Sequence, residues 1–121
     1  MPQAWGSDEQ LEGWMTGTQD AADKYGYAVA YPEGGKPAYF PLGLVGDSWN
    51  AGACCPEACA DKVDDVSFVR AVVADATSKL SVNEDKLFCL GMSNGAFMTN
   101  RVACEASDLF KAFAASSGPL V

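Results

Sequence analysis

Histidine is absent from all 121 residues. That alone excludes a self-contained Ser-His-Asp hydrolase, any imidazole general base and any zinc site built with His. Basic residues are scarce as well: Lys and Arg total 8 against 16 Asp and Glu, a formal net charge of −8. Nucleic acid and anionic membrane surfaces both reward positive charge, so neither is expected as a partner. No run of about 18 or more apolar residues exists, so no transmembrane helix is expected. Residues 1–10 have neither the basic segment nor the apolar core of a secretory leader. The expectation is a cytosolic protein or a chain whose true beginning is missing.

What is present is a globular composition, 49% apolar and 20% charged, at a length that suits one small domain. No repeat or low-complexity tract interrupts it. Residues 8–25 read as a helix, with Ser7 or Asp8 to cap it, Glu9 and Glu12 at its positive end, and Gly26 as its stop. The apolar run at residues 27–31 predicts a strand buried in a parallel sheet. Residues 32–60 hold four of the six prolines and read as a long ordered loop. Val66, Val69, Val72, Val73, Ala76 and Leu80 recur at helical spacing and predict a helix over 61–80. Strands are expected at 86–90 and 112–116, with a helix over 96–106 between them. This order predicts an α/β fold with a mostly parallel sheet and flanking helices.

The segment between strand and helix carries the chemistry. Gly91-Met92-Ser93-Asn94-Gly95 matches G-x-S-x-G in the strand-turn-helix context that a nucleophile elbow requires. The serine must sit on a tight, strained turn so that its hydroxyl stands clear of the sheet. Gly91 and Gly95, without Cβ atoms, let strand and helix approach closely. The backbone N–H of Asn94 then points to where a tetrahedral oxyanion would form, with the helix dipole adding positive potential. The competing reading is a structural turn with a chance serine.

Around this motif the chain resembles the polyhydroxybutyrate depolymerase and feruloyl esterase group of α/β-hydrolases. Gly91-Met-Ser-Asn-Gly-Ala-Phe-Met and Arg101-Val-Ala-Cys-Glu are similar to that group's elbow and the helix after it. Trp49-Asn-Ala-Gly-Ala-Cys-Cys, Val63-Asp-Asp-Val-Ser-Phe-Val and Tyr31-Pro-Glu-Gly resemble three further segments, in the same order. The resemblance implies ester hydrolysis through an acyl-serine. Ser93 would be the nucleophile and the Asn94 N–H an oxyanion donor; no cofactor or metal is implied. It implies an ester substrate, either a hydroxyalkanoate polymer or a feruloylated polysaccharide, and an extracellular setting. It places Trp49 and Asn50 near the rim of the site, although a role anchoring the loop is equally compatible with them.

Members of the group are longer, with strands and a His-Gly turn before the segment seen here and the triad acid and histidine after it. Residues 1–121 are therefore expected to be a partial α/β-hydrolase domain, inactive or nearly so alone, because a serine without an imidazole is a poor nucleophile. Two alternatives accompany this reading: a catalytically dead binding module, and a serine peptidase or acyltransferase on the same fold.

The remaining candidates read as structural. Cys54, Cys55, Cys59, Cys89 and Cys104, with no histidine beside them, make zinc the weaker expectation. Disulfide chemistry suits Cys54 or Cys55 with Cys59 or Cys104, while Cys89, inside a strand, reads as a buried thiol. Asp64 and Asp65 fall in a helix first turn, where capping or dipole interaction is the expected role. Asp47 has no evident partner. Asp108 follows Ser93 too closely to be a triad acid.

Overall fold

The computed structural model describes residues 17–39, 45–52 and 56–120. Helix α1 spans Thr18–Tyr25 and stops at Gly26, whose φ of 72° is the left-handed cap conformation. The earlier part of the helix expected over 8–25 lies outside the described residues. Residues 27–31 are not a strand, contrary to expectation: they pair with no ladder among the described residues. An apolar run becomes a buried strand only where neighbours take its backbone groups. Here the run packs back against α1 instead, with the Tyr31 and Thr18 hydroxyls hydrogen-bonded to each other and Tyr27 nearly half exposed.

The stretch expected as a long ordered loop carries regular secondary structure. It contains an antiparallel ribbon, β1 (Lys36–Tyr39) and β2 (Val45–Ser48), in the register Lys36↔Ser48 to Tyr39↔Val45. A short helix, α2 (Pro56–Ala60), follows. A stretch this long must find partners for its backbone N–H and C=O groups, and the ribbon supplies them locally.

Helix α3 spans Asp65–Lys79. Its Asp64 cap accepts from the Ser67 N–H at 3.1 Å, and that bond holds the Asp64 carboxyl below the usual range. Only the first two turns reach the core, through Val66 and Val69. Val72, Val73 and Ala76 are half-buried and Leu80 is exposed, so the helical spacing was right while the expected depth of burial was not.

Next come a 3-10 turn at Glu84–Lys86, strand β3 (Phe88–Met92), helix α4 (Asn94–Glu105) and strand β4 (Ala112–Ser116). β3 and β4 are parallel neighbours, paired from Phe88↔Ala112 to Met92↔Ser116. α4 packs on both, so Cys89 and Gly91 point into the protein while Phe88 and Leu90 face outward. Arg70 bolts α3 to the end of α4 by donating to both Asp108 oxygens and to the Glu105 carbonyl. Asp108 is thus a structural ion-pair partner, and Arg70 depresses its carboxyl.

The core is formed by Trp49, Ala51, Val66, Val69, Cys89, Met98, Val102 and Ala106, flanked by Phe97, Leu109, Phe110 and Phe113. Met98, fully enclosed on α4, joins the elbow helix to this core. Met98→Ala is expected to cost about 3 kcal/mol of stability, read from the shift in urea midpoint.

Candidate active site

The fold places Ser93 between the last residue of β3 and the first of α4, at φ 53° and ψ −123°. A non-glycine residue in this region is strained by about 1–3 kcal/mol. Neighbouring bonds hold it there. The Ser93 N–H donates to Ser116 O at 3.0 Å, tying the turn to the end of β4. The Ser93 carbonyl accepts from the N–H groups of Ala96 and Phe97, at 2.9 and 3.2 Å. The Ser93 side chain does not cap the helix, and among the described residues its hydroxyl has no hydrogen-bond partner. The residue is half-buried, neither sealed in the core nor inside a regular helix.

Gly91 makes this turn possible. A Cβ there would lie 2.2 Å from Gly95 O and 2.5 Å from Thr99 Oγ1, so strand and helix touch backbone to backbone. Gly95 is itself buried on the first turn of α4. A third glycine, not singled out in the sequence, packs closely on the elbow. After β4 the chain turns through Ser117, at φ 60°, and Gly118 settles on the elbow helix. A Cβ at Gly118 would meet Ala96 Cβ at 2.7 Å and Ser93 O at 2.9 Å. Asn100 Nδ2 donates to the Gly118 carbonyl at 3.2 Å. The Ser-Ser-Gly after a strand was the available signal, but nothing local showed what it packs on.

Asn94 follows Ser93 at the first position of α4, so its backbone N–H is one of the four that a helix leaves without an internal acceptor. Its buried side chain faces the other way. Oδ1 accepts from the Trp49 N–H at 2.7 Å and Nδ2 donates to the Trp49 carbonyl at 3.3 Å.

Trp49 and Asn50 are enclosed rather than on a rim, which decides between the two readings given for them in favour of the loop anchor. The Trp49 indole is fully buried, stacks on Phe68 with centroids 6.2 Å apart, and leaves its Nε1–H without a partner among the described residues. Asn50 is enclosed too, with its side-chain Nδ2 donating to Val63 O at 2.8 Å. Both anchor the loop to the domain, because the backbone around them is held from every side.

Asp65 was expected to serve the dipole of α3 beside Asp64. Instead its carboxylate, only 2% exposed, accepts the Asn50 N–H at 2.6 Å. Burial raises its pKa, against the pull of that N–H and of Arg101. A raised value means that its contribution to stability is complete below the ordinary aspartate pKa and is lost as pH climbs through the raised one.

Cys89 is a buried free thiol facing Thr99 Oγ1 at 3.8 Å, as expected. Cys104 carries an exposed free thiol, so it is not the partner of Cys54 or Cys55. Those two lie outside the described residues.

A family model described as the prolyl oligopeptidase family matches residues 56–120, the stretch from α2 through the elbow to just past β4. The chain belongs to the prolyl oligopeptidase family. This membership puts it in the α/β-hydrolase superfamily, in agreement with the α/β architecture read from the sequence. Two relatives carry esterase names. Feruloyl esterase B of Piromyces equi is 34% identical over 106 residues, 86% of this chain and 18% of that protein. The esterase NocK of Nocardia uniformis subsp. tsuyamanensis, so named, is 35% identical over 115 residues, 95% of this chain and 30% of that protein. The chain spans less than a third of the length of either. No solved structure matches.

Proposed function

We propose that this segment carries the nucleophile of a serine carboxylic-ester hydrolase, with Ser93 attacking the ester carbonyl and the Asn94 N–H receiving the developing oxyanion. The observation that carries the reading is the Ser93 backbone, held at φ 53° and ψ −123° on the strand-to-helix turn with its hydroxyl not used to cap the helix. Strain of this kind persists where function requires it. The hydroxyl adds to the acyl carbon, the alkoxide leaves with a proton, and water then releases the acid from the acyl-serine. The proton acceptor must be an imidazole outside these 121 residues, which hold none. The segment is accordingly read as part of a hydrolase domain, inactive without that acceptor.

The esterase names of both relatives support the ester substrate, and the motif resemblance favours a polyhydroxyalkanoate depolymerase or a feruloyl esterase. A feruloylated polysaccharide is met outside the cell, so an extracellular setting belongs to the same proposal. The peptidase name of the matched family favours a second reading, amide hydrolysis by the same serine.

The test uses the full-length polypeptide that contains this sequence. It is mixed with a p-nitrophenyl acyl ester, quenched in acid during turnover and digested. The acyl mass is expected on the peptide that bears Ser93. Turnover with acyl groups only elsewhere would remove Ser93 from the mechanism, and no turnover would favour a dead binding module. Faster release from a peptide amide than from the matched ester, relative to their uncatalysed rates, would favour the peptidase reading.

A further inference from the structure

The Trp49–Asn50 backbone lies in no helix or strand, yet all four of its polar groups are taken by side chains from distant elements. Asn94 holds the Trp49 N–H and C=O. Asp65, at the start of α3, holds the Asn50 N–H at 2.6 Å. Arg101 Nη1 donates to the Asn50 carbonyl at 2.5 Å and is itself braced by Glu105, whose Oε1 accepts from Arg101 Nε at 2.8 Å. Asn94 and Arg101 are seven positions apart, two turns of α4, so one face of the elbow helix reads the backbone of two consecutive residues.

We infer that Asn94, Asp65 and Arg101 form a clamp on the Trp49–Asn50 backbone that positions the oxyanion-donor N–H of Asn94 and, through it, the Ser93 turn. The inference rests on the nucleophile reading given above. Its physical basis is the two-point contact of Asn94. One amide group accepting from and donating to the same residue fixes both side-chain torsions, so the Asn94 main chain cannot rotate without breaking both bonds. The other end of the strut is held just as firmly, because Asp65 and Arg101 close on the adjacent residue, Asn50, from α3 and α4. Burying the Asp65 carboxylate is costly, and a neutral or apolar residue would be cheaper if only packing mattered. What the carboxylate supplies is a short, directional acceptor that sets where residue 50 sits. The three side chains act as positioning groups, and none of them touches the reacting atoms; at Asn94 only the backbone N–H does.

The test measures kcat and KM for a p-nitrophenyl ester in the full-length protein and in Asn94→Ala, Asp65→Ala, Asp65→Asn and Arg101→Met. Truncation of Asn94 or Asp65 is expected to lower kcat by about 10- to 100-fold, the cost of displacing a reacting group by up to an ångström, while KM stays within about twofold. Asp65→Asn keeps an acceptor for the Asn50 N–H and is expected to recover most of the loss, which a requirement for charge alone would not allow. Arg101 is partly exposed, so Arg101→Met decides the matter if circular dichroism shows the truncations to be unfolded; its kcat is expected to fall about tenfold. Folded variants with wild-type kcat would overturn the clamp while leaving Ser93 as nucleophile. A loss confined to KM would also overturn it. A wild-type protein with no Ser93-dependent turnover would instead defeat the nucleophile reading, and the oxyanion role of the clamp with it.

Discussion

Exchanging Ser93 for glycine is expected to stabilise the protein by about 1 kcal/mol and to abolish acyl transfer. The gain follows from the backbone. At φ 53° and ψ −123° a side chain is strained, and glycine is not. Relief of about 1–3 kcal/mol is offset in part by the larger freedom of glycine in the unfolded chain, about 0.4–1 kcal/mol. Ser93→Ala is the control. It keeps the Cβ and therefore the strain, so its stability should stay within about 0.5 kcal/mol of the parent. It loses the hydroxyl, and kcat in the full-length enzyme should fall by about 10⁶-fold. Urea titrations of the three proteins, beside ester kinetics, check both halves. If glycine and alanine give equal stability, the turn stores no strain and the chief argument for Ser93 is lost.

The second large effect is expected at Gly91. Gly91→Ala should cost about 3 kcal/mol or more, a large part of the 5–15 kcal/mol that holds a domain of this size together. The added methyl would lie 2.2 Å from Gly95 O and 2.5 Å from Gly95 C, both backbone atoms of the facing helix. A side chain could swing aside, but a helix backbone cannot. β3 and α4 must therefore separate, which pulls on the Ser93–Ser116 bond and on Met98 in the core. Gly35→Ala provides the comparison, since nothing among the described residues lies within 4 Å of its would-be Cβ. It should change stability by less than about 0.5 kcal/mol. Thermal unfolding of the two variants side by side gives the answer, and equal midpoints would show that the close approach at Gly91 is not needed.

How much of this could be read beforehand depends on how local each constraint is. The elbow was legible because its requirements fall within five residues: small residues on either side of a serine, an apolar strand before and a helix after. β4 was found at its observed bounds and α3 within a few residues, because an apolar run and a 3.6-residue period are properties of short windows. The strand expected at 27–31 failed for the opposite reason. A buried strand is defined by its neighbours, and this run pairs with no strand among the described residues.

The acids show the same division. Asp64 and Asp65 are adjacent and chemically alike, and both suited a helix start. Position on the turn decided between them: Asp64 capped Ser67, while Asp65 turned inward to a peptide 15 residues away. Trp49 was placed at a rim because its loop was recognised while its depth was not. Sequence by itself determined the α/β alternation, the elbow and its serine, and the exclusion of any histidine chemistry within the chain, since each depends on composition or on residues adjacent along it. Only the tertiary structure decided that Trp49 is enclosed, that Gly118 packs on the elbow and that three side chains grip one dipeptide. Those contacts join positions 15 to 51 residues apart, and no short stretch of sequence records which distant backbone will arrive beside it.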